Sequence, residues 1–167
     1  MENDFSSVEY SKLHKLQVGE FGEYWVKMWL TLKGFDTYTS EVDNKGIDFI
    51  IRTNNYQHID IQVKTIRKSG YVYITKDSWK KELRSNLFLA LVILNDEKIP
   101  KLFLIPSTVW NEPDDFFCSR DYEMRGKKSP DEWGINLTLK NLNRLEKYSI
   151  SNINLNDLNN ISYGNFK

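Results

Sequence analysis

The residues best suited to chemistry are an acid, an amide and an amine in two neighbouring apolar runs. Asp48 lies near the start of the run 47–51, and Gln62 and Lys64 lie in the run 58–65. A short turn with two asparagines joins the runs, which predicts a β-hairpin. In this hairpin a carboxylate, an amide oxygen and an ammonium group would lie close together on one surface. Such a set can hold a divalent cation and activate water against a phosphodiester.

Each of these groups has a predicted role. Asp48 would be the main ligand of a Mg²⁺ or Mn²⁺ ion, because hard cations prefer oxygen ligands. The side-chain carbonyl of Gln62 and the main-chain carbonyl of Val63 would point toward the same place. Lys64, one pleat further on, would orient the attacking water or stabilise the developing charge. Glu23, carried by a preceding helix, would complete the metal shell directly or through water.

The amide side chain of Gln62 makes this metal site weaker than one with a second acid. An amide oxygen carries only a partial charge, so metal affinity should fall unless Glu23 or Asp60 compensates. Simpler explanations of the same residues stay open: Asp48 would cap a turn, and Gln62 and Lys64 would line the solvent face of an antiparallel sheet.

The pattern of residues 13–33 predicts the helix that carries Glu23, and Gly34 is suited to the left-handed conformation that ends a helix. Two apolar stripes run along it. One comprises Phe21, Trp25, Met28, Trp29 and Leu32, and the other comprises Val26 and Leu30, in line with Gly19, Gly22 and Glu23. We therefore expect the helix to be buried on two sides, with Glu23 on a packed face and Glu20 less constrained.

The remaining pattern predicts an α/β fold of the α+β type, with a central mixed sheet flanked by helices. Residues 1–150 are expected to form one domain, with a core at 13–105 and an extension at 106–150, before a flexible tail at 151–167. Within the extension, residues 111–132 are expected to be a long loop. Strands are predicted at 35–40, 47–52, 58–65, 71–75, 87–94, 99–105 and 133–139, and further helices at 77–84 and 142–148.

The overall charge of the chain gives no sign of a nucleic-acid partner, because 23 basic residues offset 23 acidic ones. Local basic clusters could still contact phosphates. The candidates are Lys64, Arg67 and Lys68, followed by Arg125, Lys127 and Lys128. Each cluster taken singly is also consistent with a solvated loop.

The single cysteine, Cys118, excludes an internal disulfide framework and a cysteine-rich zinc site. The two histidines, His14 and His58, have no partner at metal-ligand spacing. No apolar run is long enough to span a bilayer, and no N-terminal signal is recognisable. A soluble, cytoplasmic protein without a membrane partner is therefore expected.

These residues and their order resemble the PD-(D/E)XK nuclease superfamily, and are most similar to its Gln-x-Lys branch, as in Mrr-like restriction endonucleases. The matching segments are Gly22-Glu23, Gly34-Phe35, Gly46-Ile47-Asp48 and residues 61–65. The spacing from Glu23 to Gly34 is also similar to that in archaeal Holliday-junction resolvases. The resemblance covers residues 15–105. It implies a restriction-endonuclease-like core, Mg²⁺ dependence and DNA as substrate. Ile47 stands where the superfamily name has proline.

Three functions are consistent with this sequence. The first is a DNA endonuclease that uses Mg²⁺ or Mn²⁺, for which a homodimer is expected because cutting both strands needs two sites. The second is a nuclease-like nucleic-acid-binding module with weak catalysis, a view that Gln62 invites. The third is an accessory domain of a defence or repair system that uses the fold without nucleic acid. No zinc finger or helix-turn-helix is recognisable in the sequence.

The extension is predicted to contribute a substrate-side flap. Reversing the charges of Arg125, Lys127 and Lys128 together should weaken DNA binding, and should lower the slope of log K against log salt by about 0.9 for each lost phosphate contact. Anisotropy titrations at several salt concentrations measure both quantities. An affinity and a slope that both stay unchanged would remove these residues from the DNA-binding surface.

Overall fold

The computed structural model describes residues 7–39, 46–126, 128–153 and 158. The predicted turn around residues 43–45 therefore lies outside the described residues. The elements in chain order are α1 (Lys15–Leu32), β1 (Asp36–Tyr38), β2 (Phe49–Arg52), β3 (His58–Arg67), β4 (Gly70–Thr75), β5 (Leu87–Leu94), β6 (Lys101–Pro106), β7 (Phe117–Arg120) and β8 (Glu132–Leu137). Short 3-10 helices cover Tyr10–Lys12, Lys76–Trp79, Ser107–Asn111, Glu123–Arg125 and Leu142–Tyr148.

The main sheet has five strands in the order β1-β2-β3-β5-β6. Strands β3 and β5 are parallel, and the other neighbours are antiparallel. Every residue of β5 is buried, as expected for a central strand that is covered on both faces. The predicted fold class, with a central mixed sheet, is confirmed.

The two faces of this sheet pack against different layers. Helix α1 covers one face, where its apolar residues meet Phe49, Ile51, Ile59, Ile61 and Val63 of β2 and β3. On the other face a second sheet, with the order β4-β8-β7, packs mainly on β5 and β6. Three tryptophans fill this second core: Trp79, Trp110 and Trp133. On the same side of β1–β3, called here the open face, Tyr38 is exposed, Arg52 and Lys64 are partly exposed, and Gln62 is buried.

Helix α1 begins at a capping box, in which His14 Nδ1 accepts from the Gln17 amide and Gln17 Oε1 accepts from the His14 amide. It ends as predicted at Gly34, which has a φ of +89°. Its buried residues are spaced by four: Val18, Gly22, Val26 and Leu30. The expectation of two buried sides is wrong at Met28 and Leu32, which are exposed because the helix lies on only one sheet.

Two further predictions need correction. The expected helix at 77–84 is only a 3-10 turn that ends at Trp79, because Lys80 and Lys81 adopt left-handed φ values of 52° and 57°. The expected loop at 111–132 contains β7, which pairs with β8. The closing helix at 142–148 is present, but as a 3-10 helix.

The C-terminal region is described only in part. Within the predicted tail, Leu158 is buried in the core beneath α1. None of the described helices is long and apolar enough to cross a membrane.

The closest approach between α1 and the sheet occurs at Gly22. A methyl group on Gly22 would overlap the side chain of Thr65 in β3, whereas one on Gly19 would meet no atom within 4 Å. We expect Gly22→Ala to lower the free energy of unfolding by about 1–3 kcal/mol through overpacking. Gly19→Ala, the matched control, should raise it by up to about 1 kcal/mol through helix propensity. Urea unfolding measures both, and equal effects of the two substitutions would contradict the close packing at Gly22.

Candidate active site

The carboxylate of Asp48 is tied to the neighbouring strand. Its Oδ2 accepts a hydrogen bond of 2.5 Å from the main-chain amide of Val63, and its own amide donates to the carbonyl of Ile61 at 2.9 Å. Asp48 is half-buried just before β2 begins. These two bonds fix the acid beside the middle of β3, as the hairpin pattern predicts.

The side chain of Gln62 carries an unusual acceptor. Gln62 is only 6% exposed, and its Oε1 is buried without a hydrogen-bond donor among the described residues. Since an unpaired buried acceptor costs about 1–3 kcal/mol, such an atom calls for a partner that the described residues do not supply. A cation is one such partner.

Gly46 packs closely against Ser78 and Gln62 and borders the site on one side. It adopts a φ of +62°, which favours glycine, and a Cβ built there would lie 2.7 Å from Ser78 Cβ and 3.3 Å from Gln62 Nε2. The 3-10 turn that holds Ser78 therefore borders the site. Ser78 Oγ is in turn hydrogen-bonded to Thr75 Oγ1 at 2.6 Å.

Lys64 lies on the same face of β3 as Gln62, because side chains alternate along a strand and Ile61 and Val63 face the core beneath α1. It is half-buried and forms no ion pair within the described part of the chain. Its ammonium is therefore available to a substrate on the open face of the sheet.

Glu23 is half-buried on α1, next to the tightly packed Gly22. Glu20 is exposed and accepts a hydrogen bond from the Tyr24 hydroxyl at 3.2 Å, which agrees with the choice of Glu23 as the more constrained acid. Helix α1 covers the sheet face opposite to Gln62 and Lys64. The role of Glu23 in the site stays a prediction.

The structure pairs Asp60 with Arg84 in a half-buried salt bridge. Asp60 is thus held by a guanidinium and is not placed to compensate for the weak ligand Gln62. The sequence contains no local signal for this pair, nor for the approach of Ser78 to Gly46, because both contacts join segments that are distant along the chain.

The predicted DNA-binding residues lie in different settings. The guanidinium of Arg67 donates to the main-chain carbonyls of Ser11 and Leu13, at 2.9 and 3.1 Å, and so holds the N-terminal segment. Lys68 and Lys128 are exposed. Arg125 ends a 3-10 helix, and Lys127 lies outside the described residues.

Two exposed lysines that follow the Ser78 turn were not among the predicted DNA-binding residues. Lys80 and Lys81 directly follow the 3-10 turn that carries Ser78. Lys81 lies 3.7 Å from Asp77 and 3.8 Å from Glu123, at the limit of an ion pair. The signal that could have found them is the basic run of residues 76–84, which the helix prediction obscured.

A divalent ion would have few protein carboxylates to bind. In the described ranges, no group of three or more His, Cys, Asp or Glu side chains could hold a metal. The residues present nevertheless fit a hard cation, since Asp48 supplies a carboxylate and Gln62 supplies a buried oxygen without a donor. Such a site would rely on water and substrate oxygens for the rest of its shell.

A second group of buried polar side chains, around Glu132, forms its hydrogen bonds within the protein and has a structural role. On the outer face of the second sheet, buried Glu132 accepts from the hydroxyls of Tyr71 and Tyr122, at 2.6 and 3.2 Å, so its oxygen is well satisfied. Burial and the hydrogen bond to Glu132 raise the pKa of Tyr71 far above its usual value.

A cavity of about 760 Å³ lies away from the candidate site. It is bordered by Phe88 and Arg144, and no predicted site residue lines it.

The overall fold of the chain is similar to that of solved structures. Two solved structures share its path: the bacterial homing endonuclease I-Ssp6803I, and the Holliday junction resolvase Hjc of Archaeoglobus fulgidus. The first has 12% sequence identity and a TM-score of 0.52, over 88% of this chain and 92% of that chain. The second has 12% identity and a TM-score of 0.48, over 87% and 98%. No protein-family model and no curated protein matches the chain.

The unpaired oxygen of Gln62 leads to a thermal test of metal binding. Mn²⁺ should raise the melting temperature of the wild type, because a ligand that binds only the folded state stabilises it. Gln62→Glu should enlarge the shift by adding a full negative charge, and Gln62→Met should remove most of it. Differential scanning calorimetry with and without EDTA measures the shifts. An equal Mn²⁺ shift in wild type and Gln62→Met would exclude Gln62 as a ligand.

Proposed function

We propose that the protein is a metal-dependent endonuclease that hydrolyses phosphodiester bonds of DNA. The observation that carries this proposal is the buried amide oxygen of Gln62, which has no donor among the described residues, on the strand that fixes the carboxylate of Asp48. Lys64 extends from the same open sheet face. An acid, an oxygen ligand and a cation in this arrangement are the groups that the reaction needs.

The metal would be held by oxygen atoms from β2 and β3. A carboxylate accepts at about four positions, and the Val63 amide occupies one of those of Asp48. The amide and carbonyl of one strand residue point to the same side of the strand. The carbonyl of Val63 is therefore directed to the side on which Asp48 lies, which supports its predicted role beside Gln62. Glu23 is left out of this ligand set, because α1 covers the opposite face of the sheet.

A bound Mg²⁺ or Mn²⁺ would neutralise phosphate charge and lower the pKa of a bound water. The chain's own contribution lies in positioning. Asp48 and Gln62 would position the metal ion, and through it the phosphate, with their oxygens. Gly46 and Ser78 lie close together and border the site on one side. The ammonium of Lys64 orients the attacking water or stabilises the charge that develops on phosphate oxygens.

Two observations favour DNA as the substrate. The fold is shared with I-Ssp6803I, whose name describes a homing endonuclease. The site also contains the cationic side chain of Lys64, which suits a polyanion despite the neutral net charge of the chain. A cytoplasmic homodimer would place two such sites on the two strands of one substrate.

The amide of Gln62 and the absence of a three-carboxylate cluster among the described residues favour a second candidate. In that view the protein is a nuclease-like DNA-binding or accessory module with weak chemistry. It predicts DNA binding without metal-dependent cleavage.

A cleavage assay on plasmid, linear, single-stranded and four-way-junction DNA separates these functions. With Mg²⁺ or Mn²⁺ the wild type should cut, and Lys64→Ala should reduce the cleavage rate by about 10²–10³-fold, the usual loss for one charge-stabilising group. DNA affinity, measured in EDTA, should change little. Lys140→Ala is the matched control, since Lys140 is exposed and lies far along the chain from the site.

The outcomes are distinct. Cleavage by the wild type and by Lys140→Ala, but not by Lys64→Ala, supports the endonuclease. If all three proteins bind DNA and none cleaves it, the result favours the DNA-binding module over the endonuclease. Equal cleavage by all three would trace the activity to a contaminant.

A further inference from the structure

The open face of the main sheet continues beyond the candidate site to the far end of β2. Phe49 and Ile51 point into the core beneath α1, so the residues that alternate with them, Ile50 and Arg52, face the same side as Gln62 and Lys64. Tyr38 of β1 pairs with Ile50 and shares that face. One surface therefore runs from Lys64 to Tyr38.

Two tyrosine rings flank a guanidinium at the end of this surface. The guanidinium carbon of Arg52 lies 5.4 Å from the ring centroid of Tyr38 and 5.9 Å from that of Tyr56. The same guanidinium donates one hydrogen bond of 2.5 Å to the carboxylate of Asp36. Both rings are open to solvent, with Tyr38 44% and Tyr56 78% exposed.

The turn between β2 and β3 holds Tyr56 in a conformation that tyrosine seldom adopts. Its φ is +60°, in the left-handed region. Thr53 secures the turn through three hydrogen bonds of 2.9–3.1 Å: its amide donates to Gln57, its carbonyl accepts from Tyr56, and its hydroxyl accepts from Gln57. Non-glycine residues held in this region cluster at ligand-binding sites.

We propose that Tyr38, Arg52 and Tyr56 form a stacking site for an unpaired nucleobase of the substrate. This inference rests on the proposed DNA function. Arg52 lies four positions after Asp48 in the chain, which corresponds to about 13 Å along the strand. A base bound there would lie within a few nucleotides of a phosphate at Asp48.

The side chains of Tyr38, Arg52 and Tyr56, called here the stacking cluster, favour an unpaired base over a paired one. Aromatic rings and the arginine plane bind the flat faces of bases, which duplex stacking hides and which single strands, flaps and junctions expose. The salt bridge to Asp36 cancels the charge of Arg52, so the cluster adds little to the attraction for phosphate. It would therefore raise affinity for unpaired DNA without raising affinity for duplex.

Anisotropy titrations in EDTA, with a labelled single-stranded oligonucleotide and the duplex of the same sequence, test this site. Tyr56→Gly removes the ring while glycine favours the local φ, so the turn is retained. It should weaken single-strand binding by about 5- to 150-fold, the cost of one lost base stack, and leave duplex binding unchanged. Tyr56→Phe should bind as the wild type does.

Tyr73→Ala is the matched control, because Tyr73 is a half-exposed tyrosine on the second sheet and outside this surface. It should change neither affinity. Equal binding of the single strand by wild type and Tyr56→Gly would overturn the stacking site while leaving the nuclease proposal intact. An equal loss of affinity for the single strand and for the duplex in Tyr56→Gly would also overturn the stacking site. Binding of neither DNA by the wild type at low salt would overturn both.

Discussion

The hydrogen bond from the Val63 amide to the Asp48 carboxylate joins the start of β2 to the middle of β3. It is compatible with only one register of β2 against β3, and the candidate site depends on that register. Side chains alternate along a strand, so a slip of one residue would turn Gln62 and Lys64 into the core beneath α1. The apolar residues Ile61 and Val63 would then face the open side. Burial of these two residues and the position of the acid therefore stabilise the same register.

The layers around this hairpin explain why the site is both rigid and accessible. On one side Gly22 lets α1 approach Thr65 closely, which brings the helix and its acid Glu23 against β3. On the other side the second sheet covers β5 and β6, whereas Tyr38, Arg52 and Lys64 of β1–β3 keep exposed surface. The 3-10 turn at Ser78 is the boundary between the covered and the open parts. A long polymeric substrate could thus lie across the open strands beside fixed side chains.

The sequence predicted the elements whose signals are local. The helical spacing of α1, the alternation in β3 and the continuous apolar run of β5 each depend on neighbouring residues, and all three are confirmed. The short strand β7 depends on pairing with β8, and the 3-10 turn before Lys80 ends through two left-handed lysines, so neither could be recognised from periodicity. The pairing of Asp60 with Arg84 and the contact of Ser78 with Gly46 arise from the folded path of the chain, which residue spacing does not encode.

The most direct test of the central claim is a crystal structure of the protein grown with Mn²⁺, with the ion located by its anomalous scattering. An anomalous peak is expected at about 2.1 Å from a carboxylate oxygen of Asp48 and from Gln62 Oε1, on the open face of β3. Its absence after soaking Gln62→Met crystals would strengthen the assignment. A map without a peak near Asp48, or with Mn²⁺ bound only elsewhere, would contradict it.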